Sequence, residues 1–134
     1  MLEKFFFDSS SLLAFTRKER EGPAVIELID SIKPAQRITS VLVAYECYRG
    51  IPQSNSKRKA QVRELDALFS FFTIKAIYRA QAMEGARLCQ YSKGAIDPIL
   101  AAQCVDGGYT MVTVNRKDFE RVPRLRLYNF AHEC

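Results

Sequence analysis

The chain has 134 residues, 48% of them hydrophobic and 26% charged, which suits one domain over 1–134 that closes its core without disulfide or metal staples. No stretch approaches the roughly 20 apolar residues that span a bilayer, and Asp8 ends the run Phe5-Phe6-Phe7 too soon for a signal-peptide core, so the expectation is a cytoplasmic protein without a membrane partner. Twenty Lys and Arg against fifteen Asp and Glu give a net charge of +5, and the single histidine, His132, lies in a polar tail, which argues against a His-based triad or a His-rich zinc site.

The elements follow in chain order. Lys4 to Phe7 reads as a short buried strand, ended by Asp8-Ser9-Ser10-Ser11, a cluster suited to cap the helix begun by Leu12-Leu13. Pro23 opens a second helix with Val25, Ile26, Leu28 and Ile29 on its inner side. Arg37 to Thr39 reads as a second strand, and Ser40 to Arg49 as a helix that stops at Gly50, with Pro52 just beyond. Polar, basic residues from Ser54 to Lys59 lead into a helix through Val62, Leu65, Leu68 and Phe69. Phe71 to Ile77 is apolar and β-branched enough for a third strand. Helices are expected from Arg79 to Tyr91, ending near Gly94, and from Pro98 to Val105, stopping at Gly107-Gly108. Thr110 to Thr113 makes a fourth strand and Leu125 to Tyr128 a fifth. Strands alternating with helices imply a parallel α/β sheet covered on both faces. Cys47, Cys89, Cys104 and Cys134 form no C-x-x-C pair and read as buried free thiols.

With no histidine or thiol to rely on, chemistry falls to carboxylates, hydroxyls, amines or a metal. In open parallel sheets ligands gather beyond the carboxyl ends of the strands, and Asp8 stands at such an end. Its other role is as a helix N-cap, although the three serines beside it could also fill that place. Glu46 is the only charge within Val41 to Tyr48. The stripe Val41, Leu42, Tyr45 and Tyr48 reads as core, with Glu46 beside it on the side of Val43 and Cys47. Near apolar surface a carboxylate costs several kcal/mol unless paired; at the rim it reaches water. Asp97-Pro98 is a good cap and first-turn pair, and Asn115-x-x-Asp118 resembles a capping arrangement. Singly, each acid has a structural explanation as good as a functional one. Jointly, Asp8 and the segment Thr113 to Asp118 fall at strand ends, and Asp97 starts a helix whose amide end faces the same edge. Hard cations such as Mg²⁺ or Mn²⁺ accept a few oxygen ligands and keep several waters. Four acids gathered in one pocket leave eleven against twenty cations elsewhere, +9, a basic body suited to a polyanion and equally to an ordinary basic protein.

Three segments resemble the motifs of the PIN-domain family, in the right order over nearly the whole chain: FFFDSSSLLAF at 5–15, ITSVLVAYECYRG from Ile38 to Gly50, and IDPILAAQCVDGGYTMVTVNRKDF from Ile96 to Phe119. The last, with its Thr-x-Asn-x-x-Asp-Phe, is the most specific, and the small size looks most like the VapC-type toxins of toxin–antitoxin pairs. The resemblance implies a three-layer α/β/α sandwich around a parallel sheet of four to five strands. It implies an acidic quartet of Asp8, Glu46, Asp97 and Asp118 as the catalytic and metal-holding residues, supported by Ser9, Thr113 and Asn115. The implied activity is Mg²⁺-dependent (Mn²⁺ also suits) endoribonuclease cleavage of RNA, and the implied partners are a cognate antitoxin and a second copy in a homodimer. Two departures stand out: a short stretch between Gly94 and Asp97, and Pro98 after the aspartate.

On that reading Asp8, Asp97 and Asp118 would hold one or two ions, with Glu46 as a further or water-mediated ligand. Lys57, Arg58, Lys59 and Arg63, or Arg116, Lys117 and Arg121, would grip phosphates or simply form solvated faces. A rival is a catalytically weak PIN-like module that binds RNA or protein without cutting. A second, a phosphoacceptor domain using Asp8, needs a late partner lysine, and Lys117 fits that role poorly.

Overall fold

The computed structural model describes residues 2–130, so His132 and Cys134 lie outside the described residues. Five parallel strands form one sheet: β1 (Phe5–Phe7), β2 (Arg37–Ser40), β3 (Thr73–Lys75), β4 (Thr110–Val112) and β5 (Arg126–Leu127). Their spatial order is β3-β2-β1-β4-β5. Phe5, Phe6 and Phe7 are all buried, as a central strand with neighbours on both sides and helices on both faces requires. β3 is an edge strand, exposed throughout.

Six helices connect the strands: α1 (Ser9–Thr16), α2 (Gly22–Ser31), α3 (Val41–Arg49), α4 (Arg58–Phe69), α5 (Arg79–Leu88) and α6 (Asp97–Gly107). From β1 to β2 to β3 the chain moves in one direction across the sheet, and from β3 to β4 it moves back. Right-handed crossovers therefore put α1 to α4 on one face and α5 and α6 on the other. The result is a three-layer α/β/α arrangement with a topological switch point between β1 and β4. None of the described helices is long and apolar enough to cross a membrane.

Two glycines set the geometry of the second face. A Cβ on Gly85 of α5 would lie 2.9 Å from the Cα of Ile99 on α6, so the helices meet backbone to backbone there. Gly108 ends α6 in the left-handed region at φ 69°, its N–H returning to the carbonyls of Cys104 and Val105.

The structure corrects several expectations. The inner line of α3 is Val43 and Cys47, both buried, while Val41 and Tyr45 are exposed. Small side chains allow α3 to lie close on α1, and the larger tyrosine is turned outward. Ile26 is 42% exposed rather than inward on α2. The third strand is Thr73–Lys75 alone, with Phe71 56% exposed ahead of it. Helix α5 ends at Leu88, leaving Cys89 exposed; only Cys47 and Cys104 of the described cysteines are buried.

Candidate functional site

The carboxyl edge of the sheet at the switch point is where open α/β sheets bind ligands. Phe7 and Val112 are register partners on β1 and β4, so the residues that follow them, Asp8 and Thr113, emerge side by side. The Asp8 N–H continues the ladder to the Val112 carbonyl at 3.2 Å.

Asp8 is 4% exposed and its carboxylate is heavily bonded. Oδ1 accepts from the Ser11 N–H at 2.9 Å and the Ser10 hydroxyl at 2.8 Å. Oδ2 accepts from the Thr113 hydroxyl at 2.6 Å. Asp8 therefore does cap α1, and the serines beside it do not replace it in that role. Cap and candidate ligand are therefore the same residue. Burial raises its pKa, against the lowering effect of the Thr113, Ser11 and Ser10 bonds. Thr113 in turn accepts the Asn115 backbone N–H at 3.0 Å. Through that backbone contact Asn115 steadies the threonine. Ser10 closes the cluster by accepting the Val114 N–H at 3.2 Å.

Glu46 arrives from α3, half-buried beside the Val43 and Cys47 line. Ser40 caps that helix by accepting the Leu42 N–H at 3.2 Å, and the Ser9 hydroxyl donates to Glu46 Oε1 at 3.1 Å. Ser9 is thus the hydrogen-bond donor that holds the glutamate. The Cys47 thiol beside it is pushed up to about 12, by burial first and the Glu46 charge second. It stays protonated at neutral pH and offers no nucleophile.

Asp97 opens α6, with Pro98 buried behind it in the first turn. Its side chain makes no capping bond, and Ile96 holds the cap position. The structural role most available to Asp97 in the sequence is therefore not the one it plays. Its pKa is raised to about 6, by burial first and then by the negative charges of Glu46, Asp8 and Asp118. The other three acids thus lie within electrostatic reach of Asp97. Asp118 completes the set from an exposed 3₁₀ turn, Arg116–Asp118, and the Asn115 side chain does not cap that turn either.

Among the described residues, no group of three His, Cys, Asp or Glu side chains stands close enough to cage a cation. The donors present are nevertheless all hard oxygens, and like-charged carboxylates repel until a cation lies between them. Mg²⁺ bonds directly to one or two carboxylates and keeps its remaining waters. The set fits such an ion.

Sequence reasoning read Ser10 and Ser11 only as candidate caps and passed over Ser92. Ser10 and Ser11 were legible from their spacing after Asp8. Ser92, whose hydroxyl donates to the Asp118 carbonyl at 2.8 Å, carries no motif. Of the two basic groups, Arg116 and Lys117 flank the site on the turn that carries Asp118, and Arg116 already donates to the Tyr128 carbonyl at 3.0 Å. In the other group, Arg58 is tied to the Ile51 carbonyl at 2.7 Å.

Comparison with known proteins places this fold. VapBC-1 from nontypeable Haemophilus influenzae is 14% identical, with a TM-score of 0.79 over 96% of this chain and 98% of that one. VapBC2 from Rickettsia felis, solved bound to a DNA fragment from its promoter, is 20% identical, with a TM-score of 0.75 over 93% and 97%. Mycobacterium tuberculosis VapC20, described as a sarcin–ricin loop cleaving toxin, is 13% identical, with a TM-score of 0.67 over 92% and 99%. The comparison with curated proteins finds no match. The family model for the PIN domain matches residues 5–125, nearly the whole span from β1 to the start of β5, and the chain belongs to the PIN-domain family.

Proposed function

We propose that this protein is a divalent-cation-dependent endoribonuclease that hydrolyses RNA phosphodiester bonds, and the toxin of a type II toxin–antitoxin pair. The observation that carries this reading is the electrostatic convergence of Asp8, Glu46 and Asp118 on Asp97 at the sheet's switch point. Solved toxin–antitoxin complexes of the same fold support the assignment to a toxin. Asp8, Asp97 and Asp118 would hold Mg²⁺ or Mn²⁺, with Glu46 joining directly or through water. When bound, such a cation supplies Lewis-acid chemistry, acidifying water and neutralising charge that builds on the phosphate.

The chain's own residues do the rest. Thr113, Ser10 and Ser11 fix the Asp8 carboxylate in one orientation, so little reorganisation is left for binding. Ser9 does the same for Glu46. Exposed Lys117 and Arg121 beside Asp118 meet the phosphates of a polyanion. A cognate antitoxin and a second copy of the chain are the proposed protein partners, and the cytoplasm the proposed location.

Incubation of the purified protein with a structured RNA in Mg²⁺, in Mn²⁺ and in EDTA tests the reading. Cleavage with either metal, lost in EDTA and in Asp8→Asn, is the expected result. RNA binding that ignores metal, without cleavage, would instead favour a binding module. Induced expression tests the toxin role: growth arrest by wild type and by Asp8→Asn alike would sink it.

A further inference from the structure

Asp118 sits on a three-residue turn, with exposed Asn115, Arg116 and Lys117 before it. On its far side Phe119 is buried, at 1% exposure. The Asp118 N–H bonds only within the turn, to the Asn115 carbonyl at 3.1 Å. Its carbonyl, by contrast, accepts the Ser92 hydroxyl at 2.8 Å, from 26 residues away.

Ser92 is itself well fixed. It is 2% exposed, and its backbone N–H returns to the Leu88 carbonyl at the end of α5, at 3.3 Å. It lies in the connection between α5 and α6, five residues before Asp97 at the start of α6. One hydroxyl therefore joins the segment that delivers Asp97 to the turn that delivers Asp118.

We propose that Ser92 is a positioning residue that, by holding the Asp118 carbonyl, sets the spacing of the Asp118 and Asp97 carboxylates and so the affinity for a divalent cation. This rests on the reading of those acids as cation ligands. Neither carboxylate is bonded by Ser92; its effect passes through the backbone. Groups that orient ligands from behind typically contribute 10- to 100-fold to metal affinity.

The test is titration of the purified chain with Mn²⁺ alone, read by the loss of the free-ion electron paramagnetic resonance signal, alongside metal-free thermal unfolding. Ser92→Ala should weaken Mn²⁺ binding about tenfold while lowering the metal-free Tm by only a few degrees. Ser92→Thr keeps the donor and should recover most of the affinity; Ser92→Cys keeps the volume with a weak donor and should resemble alanine. Should Ser92→Ala not fold, the threonine and cysteine pair makes the same comparison. Wild-type Mn²⁺ affinity in Ser92→Ala, with weaker binding in Asp118→Asn, would show that Ser92 only satisfies a carbonyl. Unchanged affinity in Asp118→Asn would remove the metal reading itself, and this proposal with it.

Discussion

The Thr113 hydroxyl donates to Asp8 Oδ2 at 2.6 Å, joining residues 105 apart in the chain. Because Asp8 is buried, this bond serves a largely desolvated carboxylate, and charge-assisted bonds are worth about twice neutral ones. Thr113→Val keeps the shape and removes the donor. It should destabilise the fold by about 1–3 kcal/mol and weaken Mg²⁺ or Mn²⁺ binding, while Thr113→Ser should preserve both. Urea unfolding and metal titration of the two variants check this; equal behaviour of valine and threonine would refute it.

The raised pKa values of Asp97 and Asp8 predict an unusual pH response in the metal-free protein. A folded-state pKa above the unfolded value, near 3.9 for aspartate, means that the folded state binds protons more readily. Stability should then rise as pH falls from 7 through about 6, where Asp97 titrates, toward 4. Other groups add their own slopes, so the difference between wild type and Asp97→Asn isolates the effect. Asp97→Asn should be the more stable at pH 7, with the gap closing toward pH 4. Added Mg²⁺ should stabilise wild type at pH 7 and leave Asp97→Asn largely unmoved. A pH-independent gap in Tm would contradict the assignment.

Gly85→Ala sets two effects against each other. Alanine gains up to about 1 kcal/mol of helix propensity over glycine. The new Cβ, however, would stand 2.9 Å from the Ile99 Cα and 3.1 Å from its nitrogen, both backbone atoms that cannot turn aside. Overpacking of this kind costs about 1–3 kcal/mol, so the net effect should be destabilising. Ile99 is two residues beyond Asp97, and RNA cleavage should fall as well. A more stable Gly85→Ala with full activity would mean that the helices part freely.

The inner face of α3 can be tested by a pair of truncations. Val43→Ala should cost about 2 kcal/mol through lost burial and a cavity, whereas Tyr45→Ala, at an exposed position, should change stability by no more than about 0.5 kcal/mol. The reverse order in denaturant unfolding would restore the face expected from the sequence.

That contrast shows where the sequence was readable. Strand β1, the helix that ends at Arg49 and the stop at Gly107-Gly108 follow from local chemistry, and each stands where the pattern puts it. Helix faces need knowledge of the neighbour. Val43 and Cys47 carry less apolar surface than Tyr45, and only the close approach of α1 selects the smaller pair. Leu42 and Tyr48 of the expected stripe do pack against the core, part-buried. The site was legible at Asp8 and Thr113 because strand ends mark them. Asp97 and Asn115-x-x-Asp118 looked like caps, and only the fold shows that neither side chain caps. Ser92 was invisible, since its partner is a backbone carbonyl that no side-chain pattern encodes.

The strand order has a consequence for the nascent chain. β1 leaves the ribosome well before its second neighbour, β4, which spans residues 110–112. Until that late segment emerges, one flank of β1 has no partner and Asp8 lacks the hydroxyl that steadies it. Such distant pairings close slowly, which makes completion of the acidic pocket a late event in biogenesis. A growing or prematurely ended polypeptide carries the first two carboxylates without the architecture that joins them to the others. For a protein proposed to destroy RNA, the topology delays competence until β4 and the turn that carries Asp118 have been made.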